Sequence, residues 1–505
     1  MKLPRPFLPF KIETTEKRLD VTAYGGLPVL LETIRMLWPK SWYRRLRKAL
    51  GYYKSWKVVR RHVESVLLLI AAGGDSIDDL DILRADAGLP QLLGFEISSP
   101  SRVKDLLYRF DQGEKGDFLK RTASAEMSKQ GQAMIRAEGP GLRVLAEMVT
   151  ESVFQIQKVQ KCTVLTLDAD ATLVESHKKT ALYHYDSGRG YQPMMGIWAE
   201  QMAWVADEFR DGNVGSNTGL LAFVKKAVAG LPPGIQKFRF RADSAFYNED
   251  MLTWLDEQGW TFAVSAKMSE DLLKMVMAIP EEAWAPYRPL DSSTASLARS
   301  GRTAGSVASS PQTTEDAGEI RECAEVPDFV PNWKRNFKKD TRPFRYTAIR
   351  VRSRQLDLLT PVTQQWKHFC VVANRHECSP SDLLVWHRAK QGTVEHGHGD
   401  VKNELAGGKL PAARFGSNAA WWRFNIMCHN MFLFLKAAAL PARMHPMRPK
   451  ALRFHLLNVP GLVLRHARRT ILRMSAAHPG AVILGEARNK LYALWERGFA
   501  LAQPG

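Results

Sequence analysis

The chain has 505 residues, a length that gives room for about two to four domains. Hydrophobic residues make up 45% of it, as in an ordinary globular protein, and no apolar stretch reaches the roughly 18–20 residues of a membrane span, which excludes a membrane-spanning class. The formal net charge of +19 indicates a polyanionic partner such as nucleic acid, with a basic but otherwise ordinary enzyme as the alternative.

Two further features of the sequence indicate a cytoplasmic location. The N-terminal stretch MKLPRPFLPFKIETTEKRLD lacks the apolar segment and the small-residue cleavage site of a signal peptide. The five scattered cysteines include no Cys-x-x-Cys pair, so they fit a reducing compartment better than a disulfide framework or a zinc site.

Residues 27–150 are predicted to be helical. The stretch LPVLLETIRML has helical spacing, and RRHVESVLLLIAAGG ends on a glycine pair that suits a helix C-terminus. The stretches SIDDLDILRADAG and SSPSRVKDLLYRF begin with serines that can cap a helix. Short helices beside basic residues favour a DNA-binding region, although no helix-turn-helix spacing is evident and a plain helical bundle remains the alternative.

Basic residues are concentrated in three stretches. Nine Lys/Arg and no acid lie between Trp38 and Arg61, nine lie between Lys334 and Arg354, and twelve lie in the acid-free run from Leu405 to Gly485. Such stretches can neutralise phosphates, and aromatic side chains among them can stack on bases. The aromatic residues of the first stretch are Trp38, Trp42, Tyr43, Tyr52, Tyr53 and Trp56.

From Lys161 the pattern changes to strands alternating with helices. CTVLTLD, HYDSGRGYQPMMGIWAE and MAWVADEFR are predicted strands, followed by a helix in TGLLAFVKKAVAGLP. KFRFRADSAFY is a strand running into a loop, EDMLTWLDEQGW a helix and TFAVSAK a strand. This order predicts an α/β protein with a mixed sheet.

The second half of the chain begins with a segment of low complexity. Residues 289–318 are rich in Ser, Thr, Gly and Ala and are predicted to form a loop. FRYTAIRVRSR and WKHFCVVANR follow as strands of an inserted β unit, and ARFGSNAAWWRFNIMCHNMFLFLKAAAL is predicted to be one long helix. We expect the basic tail to Gly505 to be helical.

Acidic residues stand at the ends of three separate elements. Asp168 and Asp170 lie two apart on one strand, so both point to the same face, and Asp243 ends another strand. With Glu395 they would supply the oxygen ligands that two Mg²⁺ or Mn²⁺ ions require. The open alternatives are plain turn formers at strand ends, Glu404 as the third acid, and a transition-metal site in EHGHGD that uses His396, His398 and Asp400.

Several stretches carry a resemblance to a known family. They are LLLIAAGGDSIDDLDILRADAGLPQLLG, TLDADATLVESHK, GRGYQPMMGIWAEQMAWVADEFRDGNVGSN, RFRADSAFY and GTVEHGHGDVKNELAGGKLPAARFGSNAAWWRFNIMCHNMFLF. The chain resembles the bacterial Asp-Asp-Glu (DDE) transposases of insertion sequences, and within them the insertion sequence 1380 family.

The resemblance implies a ribonuclease H-like catalytic core with a β-rich insertion between the second Asp and the Glu. The spacings of 75 residues from Asp168 to Asp243 and 152 from Asp243 to Glu395 leave room for that insertion. The implied regions are a helical DNA-binding region (1–155), the first part of the core (156–285), the Ser-rich loop and β-rich insertion (286–378), the second part of the core with the Glu helix (379–440), and a basic helical C-terminal region (441–505).

The resemblance also implies roles for individual residues. Asp170-Ala-Thr172 fits the Asp-x-Thr pattern of this fold, which favours Asp170 slightly over Asp168 as the first catalytic metal ligand; Asp243 and Glu395 are the second and third. Lys402 stands seven residues after Glu395, as in the family's Tyr-x2-Arg-x3-Glu-x6-Lys signature, but Arg388 replaces the Tyr and Gln391 the Arg. The expected DNA-contacting residues are Lys402, Arg388, Gln391, Arg210, Asn213, Lys178 and Arg189, and Trp333 and Trp366 are either core or base-stacking residues.

The function implied is that of a DNA transposase that cuts the ends of its element and joins the freed 3′-OH to target DNA by two-metal-ion chemistry. Its partner would be double-stranded DNA, both the terminal inverted repeats and the target, bound by a homodimer at the bacterial nucleoid and not at a membrane. The alternatives are a nuclease or resolvase on the same core without strand transfer, and a domesticated DNA-binding protein.

Overall fold

A computed structural model of the chain describes residues 14–16, 19–52, 54–111, 133–287, 319–331, 344–353, 366–467 and 469–498. The Ser-rich segment 289–318 and Trp333 lie outside these ranges. The α-helices after the N-terminal region are Pro140–Gln160, Leu220–Ala229, Glu249–Glu257, Glu270–Met277, Pro380–Arg388, Val394–Gly399, Phe415–Ala439, Pro449–Leu452 and Pro479–Glu496.

The N-terminal region is helical, as predicted. Its helices are α1 (Leu27–Leu37), α2 (Lys40–Ala49), α3 (Trp56–Ala72), α4 (Leu80–Ala85), α5 (Leu89–Leu93) and α6 (Pro100–Tyr108). The glycine pair does end α3, because Gly73 adopts a left-handed φ of 105°. Ser76 accepts a hydrogen bond from the Asp78 amide as a cap, whereas Ser99 precedes α6 without a side-chain cap.

The aromatic residues of the first basic stretch mostly belong to the core. Trp38, Trp42, Tyr43 and Tyr52 are buried, so their rings are not available for base stacking. The basic side chains around them remain at the surface.

A nine-stranded mixed sheet forms the centre of the molecule. Its strands are β2 (Val164–Ala171), β6 (Met194–Trp198), β7 (Ala203–Glu208), β8 (Lys237–Ala242), β9 (Thr261–Ser265), β10 (Ala285–Pro286), β11 (Glu319–Val326), β12 (Arg345–Ser353) and β13 (Lys367–Ala373). In the part ordered β7-β6-β2-β8-β9, the first three strands are antiparallel and the last three parallel. This is the ribonuclease H-like mixed sheet, so the predicted fold class is confirmed.

The strands of the predicted insertion extend this same sheet. β13 pairs antiparallel with β9, with Val371 opposite Ser265, and β12, β11 and β10 continue outward from it. The inserted residues therefore share the hydrogen-bonded framework of the core. The exact regional boundaries stay a prediction.

A small second sheet lies beside the first strands of the core. It consists of β3 (Val174–Glu175), β4 (Leu182–Tyr183) and β5 (Arg189–Tyr191) in the order β3-β5-β4. β3 follows the end of β2 after only two residues, so this sheet adjoins the carboxyl end of that strand.

The predicted long helix, Phe415–Ala439, runs through the middle of the protein and is called the central helix here. It is apolar and buried almost all round, as expected for a helix enclosed by other elements. Its Arg423 donates to both carboxylate oxygens of Asp207 at 2.9 and 3.1 Å and also pairs with Glu138. No helix within the described ranges is long and apolar enough to cross a bilayer.

The expectation of a wholly helical tail is wrong in part. The last helix is present (Pro479–Glu496), but it is preceded by a β-hairpin of β14 (Gly461–His466) and β15 (Arg469–Met474). This hairpin pairs with β1 (Val21–Thr22) to complete a three-stranded sheet. The pairing strand lies at the opposite end of the chain, so the local pattern of the tail does not reveal it.

Candidate active site

Asp170 and Asp243 lie side by side at the ends of two neighbouring parallel strands. In the β2–β8 register Ala169 is opposite Ala242, and each Asp follows its alanine directly. Asp243 Oδ1 accepts a hydrogen bond of 3.0 Å from the Ala245 amide, which fixes the turn that leaves β8. Two carboxylates from separate parts of the chain therefore meet at one edge of the sheet.

Glu395 approaches the same edge on the helix Val394–Gly399, called the Glu395 helix here. This helix packs closely on the sheet at Gly397, where an added Cβ would lie 2.5 Å from the Trp204 ring and 2.9 Å from Ile197. Glu395 itself is exposed. The helix thus presents its carboxylate to solvent at the site while its glycine face contacts the strands.

The electrostatics of Asp170 connect the three acids. Burial, and after it the negative charge of Asp243, raise the pKa of Asp170 from 3.8 to about 7. The Lys390 ammonium lowers this pKa, and Glu395 adds to the repulsion. The charges of Asp243 and Glu395 therefore both act on Asp170, and a cation at this carboxylate would offset them.

Asp168 has a different environment on the same strand. It is fully buried and receives two hydrogen bonds from Arg241, Nε to Oδ1 at 2.7 Å and Nη2 to Oδ2 at 2.8 Å. The Thr393 hydroxyl donates to Oδ2 as well. Its oxygens are thus occupied by a buried, bidentate ion pair.

The donor atoms at this sheet edge determine which metal ions the residues fit. Within the described ranges no three His, Cys, Asp or Glu side chains are grouped closely enough to form a ready ligand set. Asp170, Asp243 and Glu395 nevertheless offer only carboxylate oxygens, the ligands that Mg²⁺ and Mn²⁺ prefer. Asp243 and Glu395 both add to the rise in pKa that burial causes at Asp170, and a bound cation would offset it, so the three residues fit a hard divalent ion.

The alternative ligands in EHGHGD point in different directions. His398 stacks on Trp204 with ring centres 5.4 Å apart, burial lowers its pKa to about 3, and its Nδ1 is 3.9 Å from Asp170 Oδ2. His396 Nδ1 instead lies 3.1 Å from the Gly392 carbonyl. Asp400 pairs with Arg448 at 2.7 Å, away from both imidazoles.

The other proposed third acid, Glu404, is also held elsewhere. Arg448 Nε lies 2.7 Å from Glu404 Oε1, and the Lys450 amide donates to Oε2 at 3.0 Å. Glu404 is therefore bound to the C-terminal region, and Glu395 is the acid of this segment that acts on Asp170.

Lys402 does not share a regular helical face with Glu395. Residues Asp400–Glu404 form a π-helix, whose wider turn changes the angular position of Lys402 relative to an α-helix. Lys402 Nζ donates to the Leu173 carbonyl at 2.6 Å, and burial lowers its pKa. The side chain thereby joins the Glu395 helix to the residues that follow β2.

A cavity of about 270 Å³ opens beside Asp243. Arg388, Lys390 and Gln391 line one side of it, and the half-exposed ring of Phe369 lines another. The remaining lining residues are Ser244, Ser265, Ala266, Met268, Ile349, Cys370, Val371 and His387. The cavity thus combines two cations and an aromatic ring next to a site acid.

The other expected DNA contacts, except Asn213, have partners within the protein. Arg210 is buried and donates to Glu208 at 2.5 Å and to the Thr218 carbonyl at 3.0 Å, near the half-buried Asn213. Lys178 Nζ donates to the Leu410 carbonyl at 2.6 Å. Arg189 donates to the Ala181 carbonyl at 2.9 Å.

Trp366 is also engaged inside the molecule. The guanidinium groups of Arg350 and Arg352 lie 4.4 and 4.7 Å from the centre of its ring. These contacts favour the packing role over base stacking.

Four further residues shape the site, and the sequence alone does not predict them. Lys390 acts on Asp170, and His387 Nε2 lies 3.0 Å from the Ala242 carbonyl just before Asp243. Arg241 neutralises Asp168, and the Thr393 hydroxyl donates a hydrogen bond to it. One signal was available, because Arg241 lies in register with Asp168 once β2 and β8 are aligned as parallel neighbours. The others depend on the fold of the segment after β13.

Comparisons with known proteins found a matching family model and a similar solved structure. A family model described as transposase DDE domain group 1 matches residues 20–495. A search of curated proteins gave no match. Among solved structures, one described as the cryo-EM structure of a piggyBac transposase synaptic complex with hairpin DNA is similar, with 9% identity, a TM-score of 0.46, and coverage of 85% of this chain and 78% of that chain.

Proposed function

Since the chain belongs to the transposase DDE domain group 1 family, we propose that it cuts the ends of an insertion sequence and joins the freed 3′-OH to target DNA. We further propose membership of the insertion sequence 1380 family. The observation that carries the catalytic proposal is the placement of Asp170 and Asp243 side by side at the ends of the parallel strands β2 and β8, where Glu395 also acts on Asp170.

We propose that Asp170, Asp243 and Glu395 hold two Mg²⁺ or Mn²⁺ ions. When bound, such ions activate an attacking hydroxyl and stabilise the leaving oxygen of a phosphodiester. The bidentate contact with Arg241 leaves Asp168 with a structural role, because its oxygens are already occupied. It fixes the end of β2 from which Asp170 projects.

Other residues of the chain would position the DNA strand. Lys390 and Arg388 would attract a phosphate to the cavity beside Asp243, and Gln391 is exposed at its rim. Lys402 would set the distance between the Glu395 helix and the end of β2. In this proposal the internally bonded Arg210, Lys178 and Arg189, together with the half-buried Asn213, stabilise the loops around the site and only secondarily meet DNA.

The double-stranded DNA partner would be bound by basic surfaces outside the site. Helix α2 exposes Lys40, Arg44, Arg47 and Lys48, and none of the four has a carboxylate partner among the described residues. These cations fit the phosphates of terminal repeats or target. We propose a homodimer on paired ends, working in the cytoplasm at the nucleoid.

The test uses the full-length protein and a plasmid that carries the DNA flanking the coding region. Cleavage and strand joining are followed with Mg²⁺, with Mn²⁺ and with EDTA. Asp170→Asn, Asp243→Asn and Glu395→Gln should each reduce both reactions by at least about 1,000-fold, corresponding to roughly 4 kcal/mol of transition-state stabilisation. The matched control is Glu257→Gln, an exposed acid at the end of a surface helix, which should keep native activity.

Two results would replace the proposal. Metal-dependent cleavage without joining would identify a nuclease or resolvase. Specific binding to the flanking DNA without any cleavage would identify a domesticated DNA-binding protein.

A further inference from the structure

The β14–β15 hairpin is a narrow, projecting ribbon. Six residue pairs join its strands, from Gly461 opposite Met474 to His466 opposite Arg469. At its base Val463 is buried and its amide donates to the Asp20 carbonyl at 2.7 Å. At the other end of the ribbon His466, Ala467 and Arg469 are exposed, and Ala467 has a positive φ of 47°.

The ribbon carries positive charge that the protein does not neutralise. Arg465, Arg469 and Arg473 are exposed, and in the part of the chain that the structure describes none has a carboxylate oxygen within 4.0 Å. Other cations of the C-terminal region are paired, such as Arg488 with Glu32 at 2.9 Å and Arg448 with Asp400 at 2.7 Å. The hairpin arginines are therefore available to an external anion.

The register places these cations on both faces of the ribbon. Directly opposite residues share a face, and successive residues alternate between faces. Arg465, opposite Thr470, lies on one face, whereas Arg469 and Arg473, opposite His466 and Leu462, lie on the other. An anion that meets both faces at once must present two rows of negative charge.

We propose that this hairpin enters a groove of duplex DNA tip first, with its arginines on the phosphates of the two groove walls. The major groove, about 12 Å wide, admits a two-stranded ribbon, and the phosphate rows on either side match cations on both faces. The inference rests on the proposed function and deepens it by assigning one DNA-binding element. It concerns duplex binding and requires no catalytic step.

The experiment measures affinity for a duplex of about 30 base pairs by fluorescence anisotropy, in EDTA, between about 50 and 200 mM salt. Full-length Arg465→Ala/Arg469→Ala/Arg473→Ala is compared with the native protein. Each phosphate contact contributes roughly 0.9 to the slope of log K against log salt, so the slope should fall by up to about 2.7. Affinity at 100 mM salt should fall at least about ten-fold, and the triple Arg→Lys variant should keep most of it.

The matched control removes three surface cations that already have carboxylate partners. Arg84, Lys104 and Arg375 pair with Asp81, Asp78 and Glu377, so replacing them by Ala changes the net charge equally. The control should retain the native slope. Thermal unfolding verifies that both triple variants are folded.

Equal slopes for the native protein and the hairpin variant would overturn the inference. The ribbon also exposes apolar side chains, since Leu462 and Ile471 are 39% and 41% exposed, and these could contact a second copy of the chain. A hairpin variant that keeps the native salt slope but loses self-association would therefore also overturn the inference. Failure of the transposase proposal looks different. In that case the hairpin variant loses duplex affinity while the native protein neither cuts nor joins DNA with Mg²⁺.

Discussion

At the scale of single residues, Asp168 and Asp170 show how two acids of one strand come to differ. Asp168 faces Arg241 on the neighbouring strand, and its charge is balanced within the protein. Asp170 lies two residues further along, where the charges that act on it include Asp243 and Glu395. The difference arises from the register of β2 against β8.

The first prediction concerns the pH dependence of stability. The Asp170 pKa is raised from 3.8 to about 7 in the folded protein, so the folded state holds a proton that the unfolded state releases. Its contribution to the free energy of unfolding therefore falls as pH rises from about 4 to about 7 and stays low above that. Asp170→Asn should stabilise the metal-free protein at pH 8 by up to about 4 kcal/mol, at about 1.4 kcal/mol per pKa unit, and by less at pH 5.

Urea unfolding in EDTA at pH 5 and pH 8 measures this difference. The same variant should be inactive in DNA cleavage. An equal effect of the substitution at both pH values would contradict the assigned repulsion.

The second prediction concerns Asp168. Asp168→Asn leaves the Arg241 guanidinium buried without its counter-charge, which should lower the free energy of unfolding by about 3–5 kcal/mol. Asp168→Asn/Arg241→Met should recover part of that loss, because the double variant leaves no uncompensated charge. Thermal or urea unfolding of the two single variants and the double variant gives the coupling energy, and additive losses would contradict the pairing.

The sequence predicts which acids are candidates but cannot choose between these two. Strand alternation brings Asp168 and Asp170 to the same face, and the Asp-x-Thr pattern favours Asp170 only slightly. The choice depends on Arg241, which lies 73 residues further along the chain and meets Asp168 only through the parallel pairing of β2 and β8. Lys390 and Thr393 act through the same long-range fold.

At the scale of elements, the Glu395 helix depends on a glycine contact. Gly397→Ala would place a methyl group against the Trp204 ring and Ile197, so the helix must move away from the sheet. We expect DNA cleavage to fall at least about ten-fold with a loss of stability of about 1–3 kcal/mol. Comparison of cleavage rates with melting curves separates displacement from unfolding.

The matched control for this variant lies on the same helix. Among the described residues, an added Cβ at Gly399 has one close neighbour, the end of the long Arg448 side chain at 3.1 Å. Gly399→Ala should therefore retain most of the activity. Equal losses in the two variants would show that helix packing at Trp204 does not set the position of Glu395.

Helices and strands with a regular spacing of apolar residues can be predicted from the sequence, whereas elements that depend on pairing with distant residues cannot. The central helix and the strands β2, β8 and β9 follow from apolar spacing and flanking turns. The C-terminal hairpin pairs with β1 at the other end of the chain, so the local sequence of the tail predicts a helix where the structure has two short strands. The continuation of the sheet through β13 likewise follows from pairing with β9 and not from any local pattern.

At the scale of the whole molecule, the net charge of +19 is distributed over several surfaces. The exposed cations of α2 form one such surface and the hairpin another. Lys40→Ala/Arg44→Ala/Lys48→Ala should weaken duplex binding and reduce the salt slope by up to about 2.7, because each lost phosphate contact releases one counterion fewer. Anisotropy titrations test this, and the ion-paired triple variant described above serves as the control.

The π-helix beside Glu395 makes this part of the chain sensitive to length. Loss of a single amino acid between positions 400 and 404 would let the backbone revert to an ordinary α-helical pitch. Lys402 lies within the wide turn and Glu395 lies on the helix before it, so the two side chains would rotate relative to each other and could not both keep their present positions. We expect a protein shortened at this point, naturally or by design, to fold but to lose transposition activity.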